Sequence, residues 1–308
     1  LVDPRWNPVI YGYEGDDIYS EANWHAANPS LGHTIDIQKI RDAARSAQES
    51  PAEEKLFRWL RLNQWLTTKL TSWLDLDLFA KTEGSWCREE LAGCVCYAGL
   101  DLSSTTDLTA LCLVFPPQAG FSDWRVIWEA WIPGDNMRER IKVDKVPYDK
   151  WVAGGWITPT EGNIIDYTLI EERVLELSKT YTILELLYDP AMATMFSQRL
   201  QNAGLEVIPI PQTYAALTSP MNALEVFLKS GDMTHEPNPV AAWCFGNTNV
   251  SKNGSGQIKF VKEHRGRTVS RTKRIDLLAA WVDAMAKAQS HEVGVLPSVY
   301  ETRCVRTL

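Results

Sequence analysis

The chain has 308 residues, 45% of them hydrophobic, with 18 Gly and 16 Pro, ordinary for a globular protein that buries one large core or two modest ones. A formal net charge of -8 excludes a protein that coats nucleic acid with its whole surface, since such binding neutralises phosphates, and leaves DNA contact to a local basic patch. The cysteines Cys87, Cys94, Cys96, Cys112, Cys244 and Cys304 lack CxxC spacing, and no run approaches 18 apolar residues, which excludes a disulfide scaffold and a helical membrane span.

Residues 1–92 are rich in Trp and charge and read as a mainly helical appendage or linker, with helices at Ile37–Gln48 and Glu53–Trp65. In the second, Leu56, Trp59, Leu60 and Asn63 fall at helical spacing. The character changes at Gly93, where a domain over 93–290 begins, followed by a tail over 291–308. Cys94–Leu100 is a continuous apolar run ending in Asp101, as a strand buried on both faces would be. Leu108–Phe115 and Arg125–Trp131 are two more strands, and the short connections make the three an antiparallel meander. Helical material follows at Met137–Trp151 and Asp166–Lys179, then a strand at Thr182–Tyr188 ending in Asp189-Pro190. A helix at Ala191–Asn202 is stopped by Gly204, and Leu205–Ile210 is a short strand. Helix and strand alternating in that order imply parallel crossovers, so the predicted fold class is α/β with a mixed sheet flanked by helices. The last third carries a helix at Tyr214–Lys229, strands at Ala241–Phe245 and Gln257–Val261 around the turn Asn253-Gly-Ser-Gly256, and a helix at Ile275–Ala288.

Three carboxylates stand where elements begin or end: Asp101, Asp189 and Asp276. A charge at the end of an apolar strand lies at the sheet edge, where open α/β sheets collect ligands. Carboxylates gathered there suit Mg²⁺ or Mn²⁺, and two such ions activate water and stabilise the leaving oxygen of a phosphodiester. Each Asp taken alone also fits a cap or turn; Asp101 fits it least, because it interrupts the most hydrophobic strand.

The stretches Gly99-Leu-Asp-Leu-Ser-Ser-Thr-Thr-Asp-Leu-Thr-Ala110, Leu187-Tyr-Asp-Pro190 and Lys273-Arg-Ile-Asp276 resemble the three acidic motifs of the tailed-bacteriophage terminase large subunit nuclease. Val146–Trp151, Gly162–Tyr167 and His235–Asn249 are also similar to that family, and Asn23-Trp24 with Ala27–Gly32 resembles the stretch joining its packaging ATPase to its nuclease. The resemblance implies an RNase H-like fold and a two-metal endonuclease cutting double-stranded viral DNA during genome packaging, with Asp101, Asp189 and Asp276 as ligands. It implies the terminase small subunit and portal protein as partners, no membrane, and work in the host cytoplasm. Asp107 is a candidate outer ligand. Asp283 is a second, weaker metal candidate; it lies seven residues and about 10 Å along the helix from Asp276, and pairing with Lys287 is the favoured reading. The chain carries no GxxxxGK[ST] loop, and Pro190 stands where the family's ATPase has Glu, so ATP hydrolysis is not expected of it and the motor is expected to be removed or to lie on an upstream segment.

Lys252, Lys259, Lys262, Arg265, Arg267, Arg271, Lys273 and Arg274 form a basic run before the last helix, with Glu263 the only acid among them. Phosphate-gripping residues beside the third carboxylate are one reading; a solvated ribbon edge is the other. His235 and His264 read as packing or surface residues. A non-catalytic docking module of the packaging motor and a resolvase- or transposase-like nuclease of the same fold stay open as alternatives. A serine or cysteine hydrolase is excluded by the lack of a Gly-x-Ser-x-Gly elbow.

Overall fold

The computed structural model describes residues 9–49, 51–64, 73–103, 108–135, 137–190, 194–262, 264–265, 268–269 and 273–291. Two compact units divide the chain, Leu1–Thr71 and Ser72–Leu308. The division falls about twenty residues before the expected boundary because 73–92 packs with the second unit, Phe79 stacking on His235 at 3.9 Å.

The first unit holds α1 (Glu21–Ala27), α2 (Ile37–Glu49) and α3 (Pro51–Leu62) around a small core of Ile18, Trp24, Leu31, Ile40, Phe57 and Leu62. The Trp24 indole donates to Ile18 O at 2.8 Å, and Asn28 Nδ2 donates to Arg61 O at 2.6 Å, tying the end of α1 to that of α3. Helical spacing fixes the period of α3 but not which stripe turns inward: Phe57 and Leu62 are buried while Trp59 and Leu60 are exposed.

The second unit opens with α4 (Leu76–Lys81) and a 3-10 turn at Arg88–Leu91, then the meander β1 (Val95–Asp101), β2 (Thr109–Phe115) and β3 (Trp124–Pro133). It continues through α5 (Met137–Asp144), α6 (Tyr148–Ala153), β4 (Thr158–Thr160), α7 (Tyr167–Thr180), β5 (Thr182–Tyr188), α8 (Thr194–Asn202), β6 (Val207–Pro209) and α9 (Tyr214–Ser230). Last come β7 (Met233–His235), α10 (Pro239–Gly246), β8 (Thr248–Lys252), β9 (Ile258–Lys262), β10 (His264–Arg265), β11 (Thr268–Val269) and α11 (Asp276–Ala288). The sheet order is β4-β3-β2-β1-β5-β6, with β7 also on β3. The pairs β1–β2 and β2–β3 are antiparallel, whereas β1–β5, β5–β6, β3–β4 and β3–β7 are parallel. This is the expected meander with parallel additions.

Strand alternation sends Cys96, Ala98, Leu100, Leu111, Leu113 and Phe115 to one face, under Val174 and Leu177 of α7 and Leu200 of α8. The other face, with Tyr97, Ala110, Cys112, Val114 and Trp128, lies under α9, α10 and α11. One expectation fails locally. Ala241–Phe245 lies in α10, because Asn238 caps the amides of Val240 and Ala241 and Pro239 occupies the first turn, a helix start that outweighs the apolar run. The partner of β9 is therefore β8, closed by the anticipated turn at Asn253. At three residues each, β4 and β7 are too short to leave an alternating pattern.

Candidate active site

Asp101 closes β1 and Asp189 follows β5, each one residue past the registered pair Leu100↔Tyr188 of these parallel strands. Leu100 and Tyr188 both belong to the α7/α8 face, so alternation turns the two carboxylates to the opposite face, the one that carries α11. α11 runs antiparallel to β1: its last turn leads to His291, which meets the Tyr97 hydroxyl at 3.0 Å, and Ala280 and Ala284 lie over Gly99. Its first residue, Asp276, therefore lies at the Asp101 end. The buried Cys244 thiol senses both: burial pushes its pKa well up, and the charges of Asp276 and Asp101 add to that.

Gly99 makes this approach possible. A Cβ there would stand 2.0 Å from Ala280 O and 2.4 Å from Ala284 N, both backbone atoms of α11. The helix is buried on nearly every side, Asp276 and Asp283 included.

Asp283 does not pair with Lys287. It faces inward, 1% exposed, and both its oxygens accept from Gln212 Nε2 at 3.0 and 3.3 Å, while Lys287 reaches Glu185 of β5 at 3.3 Å. Burial pushes the Asp283 carboxyl up to about 8, with the Gln212 hydrogen bond opposing and the charge of Asp189 adding. Among the described residues, no group of three or more His, Cys, Asp or Glu stands close enough to hold a metal ion, so the three motif carboxylates share a face and an end without forming a closed ligand cluster. Asp107 lies outside the described residues.

The basic run divides. Lys252 is exposed, and Lys259 and Lys262 are half-buried on the β8–β9 ribbon, which docks on α9 through Tyr214 Oη to Ser251 Oγ at 2.8 Å and Thr218 to Ile258. Lys259 also lies over the Tyr214 ring at 5.0 Å. Lys273 is half-buried beside the start of α11. Arg274 leaves the surface set, because its side chain is 8% exposed and ion-paired to Asp144 at 3.4 Å. Arg267, Arg271 and the side chain of Arg265 lie outside the described residues.

A match to the family model described as the terminase large subunit, endonuclease domain, covers residues 10–292. The chain belongs to that family. It is 29% identical over 298 residues to the terminase large subunit of Enterobacteria phage HK97, covering 93% of this chain and 55% of the relative. Protein YmfN of Escherichia coli strain K12 is 26% identical over 92% of this chain and 63% of its own length. The crystal structure of the HK97 large terminase superposes with a TM-score of 0.61 at 27% identity, over 90% of this chain and 56% of that one. The chain thus spans a little over half the length of these terminase relatives. Its mixed sheet flanked by helices is the RNase H-like fold that the resemblance implied.

Beside β3, His235 has the packing role expected of it, within a network of partners that left no sequence signal. His235 is fully buried, its ring nitrogens 2.9 and 2.8 Å from the carbonyls of Glu236 and Phe79. Glu236 accepts from Trp128 N at 2.8 Å and takes Arg88 on both oxygens at 2.7 and 2.8 Å, while Arg88 also bonds Glu129 and Trp128 O. Together they fill the gap on the outer edge of β3 between β7 and β4, so His235 and Glu236 serve the sheet rather than the carboxylates. A cavity of about 320 Å³ beside them, lined by Trp86, Trp128, Trp156 and Asn238, contains none of the candidate carboxylates. Among the described residues, no helix is long and apolar enough to cross a membrane.

Proposed function

We propose that this chain is a metal-dependent endonuclease that cuts double-stranded viral DNA concatemers during genome packaging, with Asp101, Asp189 and Asp276 as the metal-holding residues. The observation that supports the reading is one of placement: Asp101 and Asp189 stand at the same ends of neighbouring parallel strands, and Asp276 opens the helix laid across β1, its charge felt with that of Asp101 at the Cys244 thiol. The donor set fits Mg²⁺ or Mn²⁺, which take hard oxygen ligands, and offers nothing to a soft metal. Two such ions, when bound, supply an activated water and stabilise the leaving oxygen.

The chain's own residues do the rest. Gly99 lets α11 close on the sheet so that Asp276 reaches the Asp101 end. Lys252, Lys259, Lys262 and Lys273, with Arg265, Arg267 and Arg271 of the same run, supply phosphate contacts that hold duplex DNA without reading its sequence. Asp107 is retained as a candidate outer ligand. By family membership, the terminase small subunit and the portal protein are the protein partners, and the host cytoplasm is the place of work. The boundaries we assign to the nuclease are 93–290.

The test is conversion of supercoiled plasmid to open and linear forms in Mn²⁺ or Mg²⁺. We expect cleavage by the parent, none in EDTA, and none by Asp101→Asn with duplex binding retained. Cleavage that persists in EDTA removes the metal mechanism. A folded, DNA-binding parent that never cuts turns the reading toward a docking module.

A further inference from the structure

Arg274 lies two residues before Asp276, in a run of basic residues, yet its side chain points away from solvent. Its Nη2 stands 3.4 Å from Asp144 Oδ2, with the two side chains 8% and 5% exposed. Asp144 closes α5, and the same oxygen accepts from the Tyr148 hydroxyl at 3.0 Å, a donor that burial and the charge of Asp144 keep protonated. Lys145, next to Asp144, takes a left-handed φ of 56° and caps α5 with its amide on Ile141 O, turning the chain so that Asp144 and Tyr148 meet. From the other side, Asn247, the residue that ends α10, donates to Arg274 O at 3.2 Å. The side chain and the main chain of Arg274 are therefore held by different elements.

What they hold is the start of α11, whose first amides, those of Asp276 and Leu277, also bond the Cys244 thiol. Ile275, the N-cap of α11, makes no side-chain capping bond, and its φ of -133° and ψ of 10° lie outside the extended conformation usual for a cap. A buried ion pair adds little net stability over a well-packed apolar pair of similar volume; what it imposes is a single geometry.

We propose that Arg274, fixed by Asp144 and Asn247, is a positioning residue that sets the place of the Asp276 carboxylate at the acidic end of the sheet, and so governs divalent-metal affinity there. The proposal rests on the nuclease reading for the identity of the site. It also implies that removing Arg274 changes the metal dependence and not the grip on DNA, the opposite of a phosphate contact.

The experiment compares the parent with the double variant Asp144→Leu, Arg274→Met, which replaces the ion pair by an apolar pair and frees the Tyr148 hydroxyl, and with Asp144→Asn, which keeps the shape and the Tyr148 contact. Three quantities are read: Mn²⁺ binding from the electron paramagnetic resonance signal of the free ion, duplex affinity in EDTA, and thermal midpoint. Plasmid cleavage against Mn²⁺ concentration is read alongside. We expect Mn²⁺ affinity to fall about 10–100-fold in both variants, the usual cost of losing a group that orients a metal ligand, with duplex affinity close to the parent; melting falls by several degrees in Asp144→Asn, which leaves the buried Arg274 charge unpaired, and by less in the double variant. Arg274→Lys, which keeps the cation, should recover part of the loss. Parent-like Mn²⁺ binding in the folded Asp144→Asn or double variant overturns the proposal, as does a loss of duplex affinity that accounts for the whole defect. A parent that binds Mn²⁺ but never cuts contradicts the nuclease reading while leaving this inference to be judged on binding alone. A parent that binds no Mn²⁺ removes both.

Discussion

Gly99→Ala is the smallest change that tests whether the approach of α11 to β1 builds the site. The new Cβ would stand 2.0 Å from Ala280 O and 2.4 Å from Ala284 N. Restoring a carbon–oxygen separation of about 3.5 Å requires the helix and strand to part by about 1.5 Å. Both obstacles are backbone, so no side chain can swing away, and Cys112 and Leu187 hold Gly99 in register on either side. Overpacking of this kind costs about 1–3 kcal/mol, which for a unit of this size lowers the melting midpoint by about 2–12 °C. The effect on cleavage should be larger than folding accounts for, because a displacement of about 1 Å at a reacting centre costs on the order of 100-fold. Gly254→Ala is the control: nothing lies within 4 Å of its Cβ position, and its stability should stay within about 0.5 kcal/mol of the parent. The assays are differential scanning fluorimetry in EDTA and plasmid cleavage at saturating Mn²⁺, both below the variant's midpoint. A Gly99→Ala protein that melts and cuts like the parent would refute the reasoning.

Three further outcomes follow from the same geometry. Folded Asp283 titrates at about 8 against 3.8 for the ordinary carboxyl, so the folded state keeps the proton between those values; the stability tied to it is complete below about 4 and is lost as pH rises through about 8. At about 1.4 kcal/mol per unit the bound is about 5–6 kcal/mol, and Asp283→Asn, measured by urea unfolding in EDTA, should gain on the parent steadily from pH 5 to pH 9; a constant difference contradicts it. Combined Lys252→Ala, Lys259→Ala, Lys262→Ala should weaken duplex binding and make log K against log salt shallower by about 2–3, whereas an unchanged slope reduces the ribbon to a solvated edge. Arg88→Met strands the Glu236 charge, on a side chain 9% exposed, while Glu129 keeps Arg173 at 3.0 Å, and should cost about 3 kcal/mol or more; a parent-like urea midpoint would count against the edge-filling role.

The part of the fold that a two-residue period can carry was legible in advance. The runs at β1 and β2 are continuous because both faces are buried, β5 is buried at Leu186 and Leu187 near its end, and the abrupt Asp101 and Asp189 mark where β1 and β5 leave the core. What escaped has physical causes. α10 is apolar around its circumference, so its run looks like a strand until Asn238-Pro239 is weighed as a helix start. α11 looks amphipathic, yet nearly all of it is buried, because α9 and α10 cover the side turned from the sheet; Asp283 thereby loses solvent and finds Gln212, seventy-one residues earlier in the chain. Arg274 belongs by sequence to a basic run and by structure to Asp144, 130 residues away. Partners that distant leave no local signal, and a charge inside a charged run gives no hint that it is buried.

The most direct measurement is anomalous diffraction from crystals of this protein soaked in Mn²⁺. The account predicts two manganese peaks about 4 Å apart, bracketed by the carboxylates of Asp101, Asp189 and Asp276. Peaks confined to other residues, or none at a saturating concentration of Mn²⁺, would contradict it.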